Sequence, residues 1–179
     1  TTNGLLAFNK KLKTVTFHSK LGSQGERVKR LEVISSEIAA LIRVSKAQVK
    51  KAASICKSDL VSEMVNEFPE LQGVMGTYFA KQSGYSQEIA EVCALHYLPA
   101  GPLDKVPSSK IALCVALADK IDILSNFWAI NLKPTGSKDP YALRRAALGV
   151  FRISIENELD IPIKTLLELG NDRADCHDL

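Results

Sequence analysis

Apolar residues recur along most of this chain at steps of three and four, the spacing of one helix face. Val28, Leu31, Ile34, Ile38, Leu41 and Ile42 predict an amphipathic helix over about 24–43. Val49, Ala52, Ala53, Cys56, Leu60 and Met64 predict a second over about 46–67, with Ser45 as its N-cap. Pro69 interrupts the pattern and opens a third, "ELQGVMGTYFAKQ", ended near Gly84. Ser86 caps a fourth, "QEIAEVCALHYL", which stops before Pro99. The stretch "PAGPLDKVPSS" is a loop by composition. A fifth helix, "KIALCVALADKIDILSNFW", is apolar almost all round at its start and is expected to be the central buried one. The turn "NLKPTGSK" leads to a sixth, "YALRRAALGVFRISIEN", with Asp139 as N-cap and Pro140 at its first position. A short last helix, "PIKTLLELG", stops at Gly170. The first 22 residues lack this periodicity, and "TVTF" at 14–17 suits a strand or an arm docked on a neighbouring domain. The class is all-α: a bundle of about six to seven helices over 23–170, with an arm at 1–22 and a linker at 171–179.

Composition changes this picture little. The 179 residues are 46% hydrophobic and 24% charged, ordinary for a globular domain with one substantial core. A net charge of +3 is too small to indicate a nucleic-acid partner, so such a reading must come from local clustering. Cys56, Cys93 and Cys114 sit in apolar runs, no pair of the four cysteines has CxxC spacing, and reduced thiols in a cytoplasmic protein are expected. No stretch reads as a signal peptide, and the longest apolar run, "IALCVALA", is too short for a bilayer. A start at "TTNG" without methionine reads as a fragment of a longer protein.

Two features could carry chemistry. Asp122 falls on the stripe of Ile111, Val115 and Ala118, and Asp119 lies about 60° beside it. Two carboxylates edging into the most apolar helix need cations, a metal or protonation. Histidines are few: His18 in the irregular arm, His96 in a surface or packing position, and His177 near the chain end. A metal site is therefore poorly supported, and cations are the better partners, with Arg144 or Lys57 as the candidates. The second feature is a set of cations around the Pro-Thr-Gly turn. Lys133, Lys138, Arg145 and Arg152 form either a solvated face or a phosphate-binding stripe, with little aromatic interleaving. No Walker loop, dinucleotide fingerprint or nucleophile elbow is present, and no catalytic residue is assigned.

Several long segments, in order, resemble one family. "FHSKLGS" with "ERVKRL", then "KSDLVSEMVNEFPELQGVMGTYFA", "HYLP", "ALADKIDIL" and "KPTGSKDPYALRRAALGV" are similar to the β subunit of bacterial-type tetrameric glycyl-tRNA synthetase, over roughly residues 15–155. The resemblance implies an internal fragment with an HD-type helical fold. It implies a parent that joins glycine to tRNA(Gly), with ATP and Mg used at the α subunit and tRNA binding supplied by β. On that basis this segment is noncatalytic, carries no cofactor, and contacts tRNA near the acceptor arm. Its other partners would be the α subunit and the remaining β domains. Metal-dependent HD hydrolases carry an adjacent His-Asp pair. Here that place falls in "SICKSDL", around Cys56 and Lys57, with Asp59 displaced and Asp119 as the distal aspartate. The resemblance thus implies a metal-free relic, with Asp119 neutralised by Lys57 or Arg144. Rival readings are a metal-dependent nucleotide phosphohydrolase and a structural spacer.

Overall fold

The computed structural model describes residues 2–170, and the linker expected at 171–179 lies outside them. The chain order is α1 (Thr2–Lys11), β1 (Thr16–His18), β2 (Gly22–Ser23), α2 (Gln24–Leu41), α3 (Lys46–Ile55), α4 (Glu63–Glu67), α5 (Val74–Gln82), α6 (Gln87–Leu95), α7 (Lys110–Ala129), α8 (Leu143–Glu156) and α9 (Ile163–Glu168). Among the described residues the only sheet is the antiparallel pair β1–β2, so the protein is all-α.

Helix α7 is the axis of the core. Every residue from Ile111 to Asp122 is buried, as its unbroken apolar start requires. Helices α2, α3, α6 and α8 surround it. Helix α2 starts with a capping box: Ser23 Oγ accepts from the Glu26 amide at 3.2 Å, and the Glu26 carboxylate accepts from the Ser23 amide at 2.7 Å. It turns Leu31, Ile34 and Ile38 towards α7 and α3.

Two helices depart from the expectations in ways that bear on the site. The helix expected over 46–67 is broken into α3, a 3-10 turn at Ser58–Val61, and α4. The break turns Asp59 inward, where its Oδ2 accepts from the amides of Gly73 at 2.6 Å and Gly76 at 3.1 Å and caps α5. Helix α8 begins at Leu143, not at Pro140, because Ala142 takes a left-handed conformation at φ 56°. Asp139 still satisfies its first amides, from further back: its carboxylate accepts from Leu143 at 2.8 Å and Arg144 at 2.9 Å.

The N-terminal residues set apart as an arm share the common core. Leu5 and Leu21 are buried in it, Leu12 is buried as well, Asn9 Nδ2 donates to the Ser54 carbonyl at 2.9 Å, and Phe17 packs edge-on against Phe127 of α7.

Candidate functional site

The two acids of α7 meet three cations, two from α2 and one from the bend after α3. Arg27 and Arg30, in the first turns of α2, lie against them. Arg27 Nη2 donates to Asp119 Oδ1 at 2.9 Å. Its Nε lies 3.3 Å from Asp122 Oδ2, a charge contact without hydrogen-bond alignment. Arg30 grips Asp122 with both Nε and Nη2, the latter at 3.2 Å, and Asn126 Nδ2 adds a donor at 3.0 Å. Phe17 of the N-terminal hairpin covers the cluster, its ring centroid 4.3 Å from the Arg27 guanidinium.

Lys57 completes the set. It is 2% exposed, and its ammonium lies 2.9 Å from Asp119 Oδ1, 3.0 Å from His96 Nε2 and 4.6 Å from the centre of the Tyr97 ring. The bend after α3 that breaks the expected helix is what aims this side chain inward. His96 Nδ1 sits 2.8 Å from the Val92 carbonyl, which can only accept, so Nδ1 carries the ring proton and Nε2 accepts from Lys57. Burial, then the neighbouring Lys57, pushes the His96 imidazole down to about 3, so it is neutral at physiological pH. Burial opposes ionisation of Asp119, but Arg27 and then Lys57 outweigh it and hold this carboxyl well below the usual range.

Next to Asp119, Lys120 is also buried, and donates to the Tyr97 carbonyl at 3.3 Å. Burial lowers its ammonium to about 8, partly offset by Asp119. The Cys56 thiol beside the cluster is pushed up to about 12 by burial, so it is not a nucleophile at neutral pH. Asp59, also buried, is raised by burial against the pull of the Gly73 and Gly76 amides, and its Oδ1 has no partner.

A divalent ion does not fit these residues. Asp119 and His96 are both committed to Lys57, with Arg27 on the same Asp119 oxygen, and Asp122 is gripped by Arg30. Among the described residues no group of three or more His, Cys, Asp or Glu side chains is disposed to hold a metal.

The other candidates fall elsewhere. Arg144, expected to reach the acid pair, does not: it is exposed, and its Nη2 donates to the Gly136 carbonyl at 2.6 Å. The start of α8 lies beside Leu124 and Trp128, beyond the acids on α7, which puts Arg144 out of reach. Arg30 and Arg27 take the role instead. Arg152, expected to face out towards phosphates, is also spent on the fold. Its guanidinium donates to the carbonyls of Gly101 at 3.1 Å, Pro102 at 3.3 Å and Asp104 at 2.8 Å, and pairs with Glu156 at 2.8 Å. The turn is tight, with reciprocal backbone bonds between Thr135 and Lys138 at 3.0 and 2.9 Å and Gly136 at φ 51°. It presents Lys138 and Arg145 to solvent without side-chain partners among the described residues. Lys133 is exposed over the Trp128 ring at 5.2 Å.

A family model described as "Glycyl-tRNA synthetase beta subunit" matches residues 1–175. The chain belongs to this family. It is 49% identical over 176 residues to the glycine–tRNA ligase beta subunit of Ruegeria sp. (strain TM1040), covering 98% of the chain and 26% of that protein. The beta subunit from Cereibacter sphaeroides (strain ATCC 17029 / ATH 2.4.9) is 53% identical over 156 residues, 87% of the chain and 22% of the relative. That of Neisseria meningitidis serogroup C (strain FAM18) is 52% identical over 151 residues, 84% of the chain and 22% of the relative. The chain spans about a quarter of the length of these members of the glycyl-tRNA synthetase beta subunit family. In this family member no helix among the described residues is long and apolar enough to cross a membrane.

Proposed function

We propose that this chain is a noncatalytic helical module of a cytoplasmic glycine–tRNA ligase, that it helps to bind tRNA(Gly) near its acceptor arm, and that glycine activation with ATP and Mg occurs at the α subunit. The observation that carries the reading is the basic turn. Lys138 and Arg145 stand free beside Lys133 at one end of α8, in a member of the glycyl-tRNA synthetase beta subunit family. Exposed cations fixed on a tight turn suit phosphate contacts, which position an RNA without reading its sequence. The α subunit and the remaining β domains are the protein partners of this reading. Metal-dependent nucleotide hydrolysis is disfavoured because Lys57 and Arg27 occupy the Asp119–His96 constellation of the core.

The test uses the full-length α/β enzyme carrying Lys138→Glu and Arg145→Glu, with tRNA(Gly) affinity measured across a salt series. Affinity is expected to fall, and the slope of log K against log salt to become shallower by about 2, one released counterion for each lost phosphate contact. Unchanged affinity and slope would leave the module as a structural spacer.

A further inference from the structure

Helix α8 has two apolar faces. Leu143, Ala146, Val150 and Ile153 are buried on its inner face. Its outer face carries Leu148, 62% exposed, Phe151, 49%, and Ile155, 72%. At 100° per residue Leu148 and Ile155 lie within about 20° of each other and Phe151 about 60° to one side, a stripe two turns long. On the other side Arg152 holds the loop around Pro102, which brings Leu103, 96% exposed, next to the stripe. On the Phe151 side the stripe runs into an apolar cleft of about 220 Å³, lined by Leu124, Trp128, Pro134, Ala147, Ile163 and Leu167. Single exposed hydrophobes are ordinary, but an ordered stripe continuous with an apolar cleft marks an interaction surface. Phosphates gain nothing from such a surface, so the phosphate reading of the neighbouring turn does not absorb it.

We propose that the outer face of α8 docks an amphipathic helix supplied by another part of the same polypeptide, beyond these 179 residues. Helix packing explains the spacing of Leu148, Phe151 and Ile155, since residues at i, i+3 and i+7 form the ridge that a second helix straddles. Charge adds no preference, because Glu158 and Asp160, past the end of α8, line a separate cleft with Arg43 and Lys110, and Glu156 is held by Arg152. Length makes an intramolecular occupant available, because the chain is only about a quarter of its relatives. A tethered helix also needs fewer contacts than a free partner, since its effective concentration is high. The docking does not depend on the tRNA contact proposed for the turn.

The test uses the full-length polypeptide with p-benzoylphenylalanine placed at position 155 and mass spectrometric mapping of the photoproduct. The expected result is a link within one polypeptide to a helical peptide with an apolar face outside these residues, formed with or without tRNA and independent of protein concentration. A link only to tRNA, only to the α subunit or only to a second copy overturns the proposal, and so does no link at all. Leu148→Asp with Ile155→Asp provides a second measurement on the same polypeptide. Exchange of the amides of the docked peptide is expected to quicken by at least about tenfold in the double variant, and not in Lys138→Glu. Equal exchange in both variants contradicts the docking, while loss of tRNA affinity in Lys138→Glu alone speaks only to the turn.

Discussion

Each atom around the Lys57 ammonium has a protonation state that follows from its neighbours, and this makes the cluster testable residue by residue. His96 accepts from Lys57 and donates to Val92, so it must stay neutral in the fold, with burial and Lys57 both opposing its protonation. Its ordinary pKa near 6.5 is depressed to about 3 on folding. Above pH 6.5 neither folded nor unfolded His96 binds a proton and its full contribution is present. As pH falls from 6.5 towards 3 only the unfolded chain gains the proton, and stability drops. Asp119 acts in a lower window: its depressed carboxyl stabilises above the unfolded value of 3.8 and is lost below it. Between pH 7 and 5, therefore, His96 should cost about 2 kcal/mol of stability. Urea denaturation at the two pH values should show this loss in the wild type, and His96→Gln, which keeps an acceptor for Lys57, should abolish it. An equal loss in both proteins would mean that His96 titrates normally. At this scale the acids were legible from sequence, because carboxylates on an apolar stripe demand cations. Their arginines were not, since they lie 92 residues away on another helix. The usable signal was that Arg27 stands four residues before Leu31 and so prolongs the buried stripe of α2.

The long helices follow from their own periodicity, but two boundaries are set by distant contacts. The apolar steps of 46–67 continue through the break, so the pattern alone predicts one helix. What stops it is the inward turn of Lys57 towards Asp119 and of Asp59 towards the amides of α5, a tertiary demand invisible to a local window. Helix α8 starts three residues later than Pro140 for a related reason, because Asp139 caps from four and five residues back across a turn. Arg152 shows the same limit on function. A cation opposite the inner stripe looks solvent-facing, yet its long stem folds over the helix and its fork binds three carbonyls of the loop between α6 and α7. Arg152→Met keeps the stem and removes the donors. Amides of residues 101–106 should then exchange about tenfold faster, the loss of roughly 1–2 kcal/mol of hydrogen bonding, while tRNA affinity of the full enzyme stays within about twofold. A large loss of affinity with unchanged exchange would return Arg152 to the phosphate-binding set.

Over the whole molecule the all-α class was readable because nearly every segment keeps a helical period, while the N-terminal packing was not. Leu5 and Leu21 are too sparse to form a pattern, yet both join the core, and Phe17 closes the cluster. The result is an interior in which Arg27, Arg30 and Lys57 pair with Asp119 and Asp122, three cations to two carboxylates. That excess of positive charge is what a divalent ion would have to enter. A ligand that binds only the folded state at a hundredfold excess over its Kd stabilises by about 2.7 kcal/mol. For a domain of this size that raises Tm by roughly 5–10 °C. If Lys57 serves as the cation of the cluster, neither millimolar Mn²⁺ or Zn²⁺ nor a chelator should shift Tm by more than about 1 °C. The same additions to Lys57→Ala should also do little, because Arg27 remains on the Asp119 oxygen that an ion would need. A metal-dependent rise in Tm of the wild-type protein, removed by Asp119→Asn, would show that the ammonium can be displaced and that the core is a metal site after all.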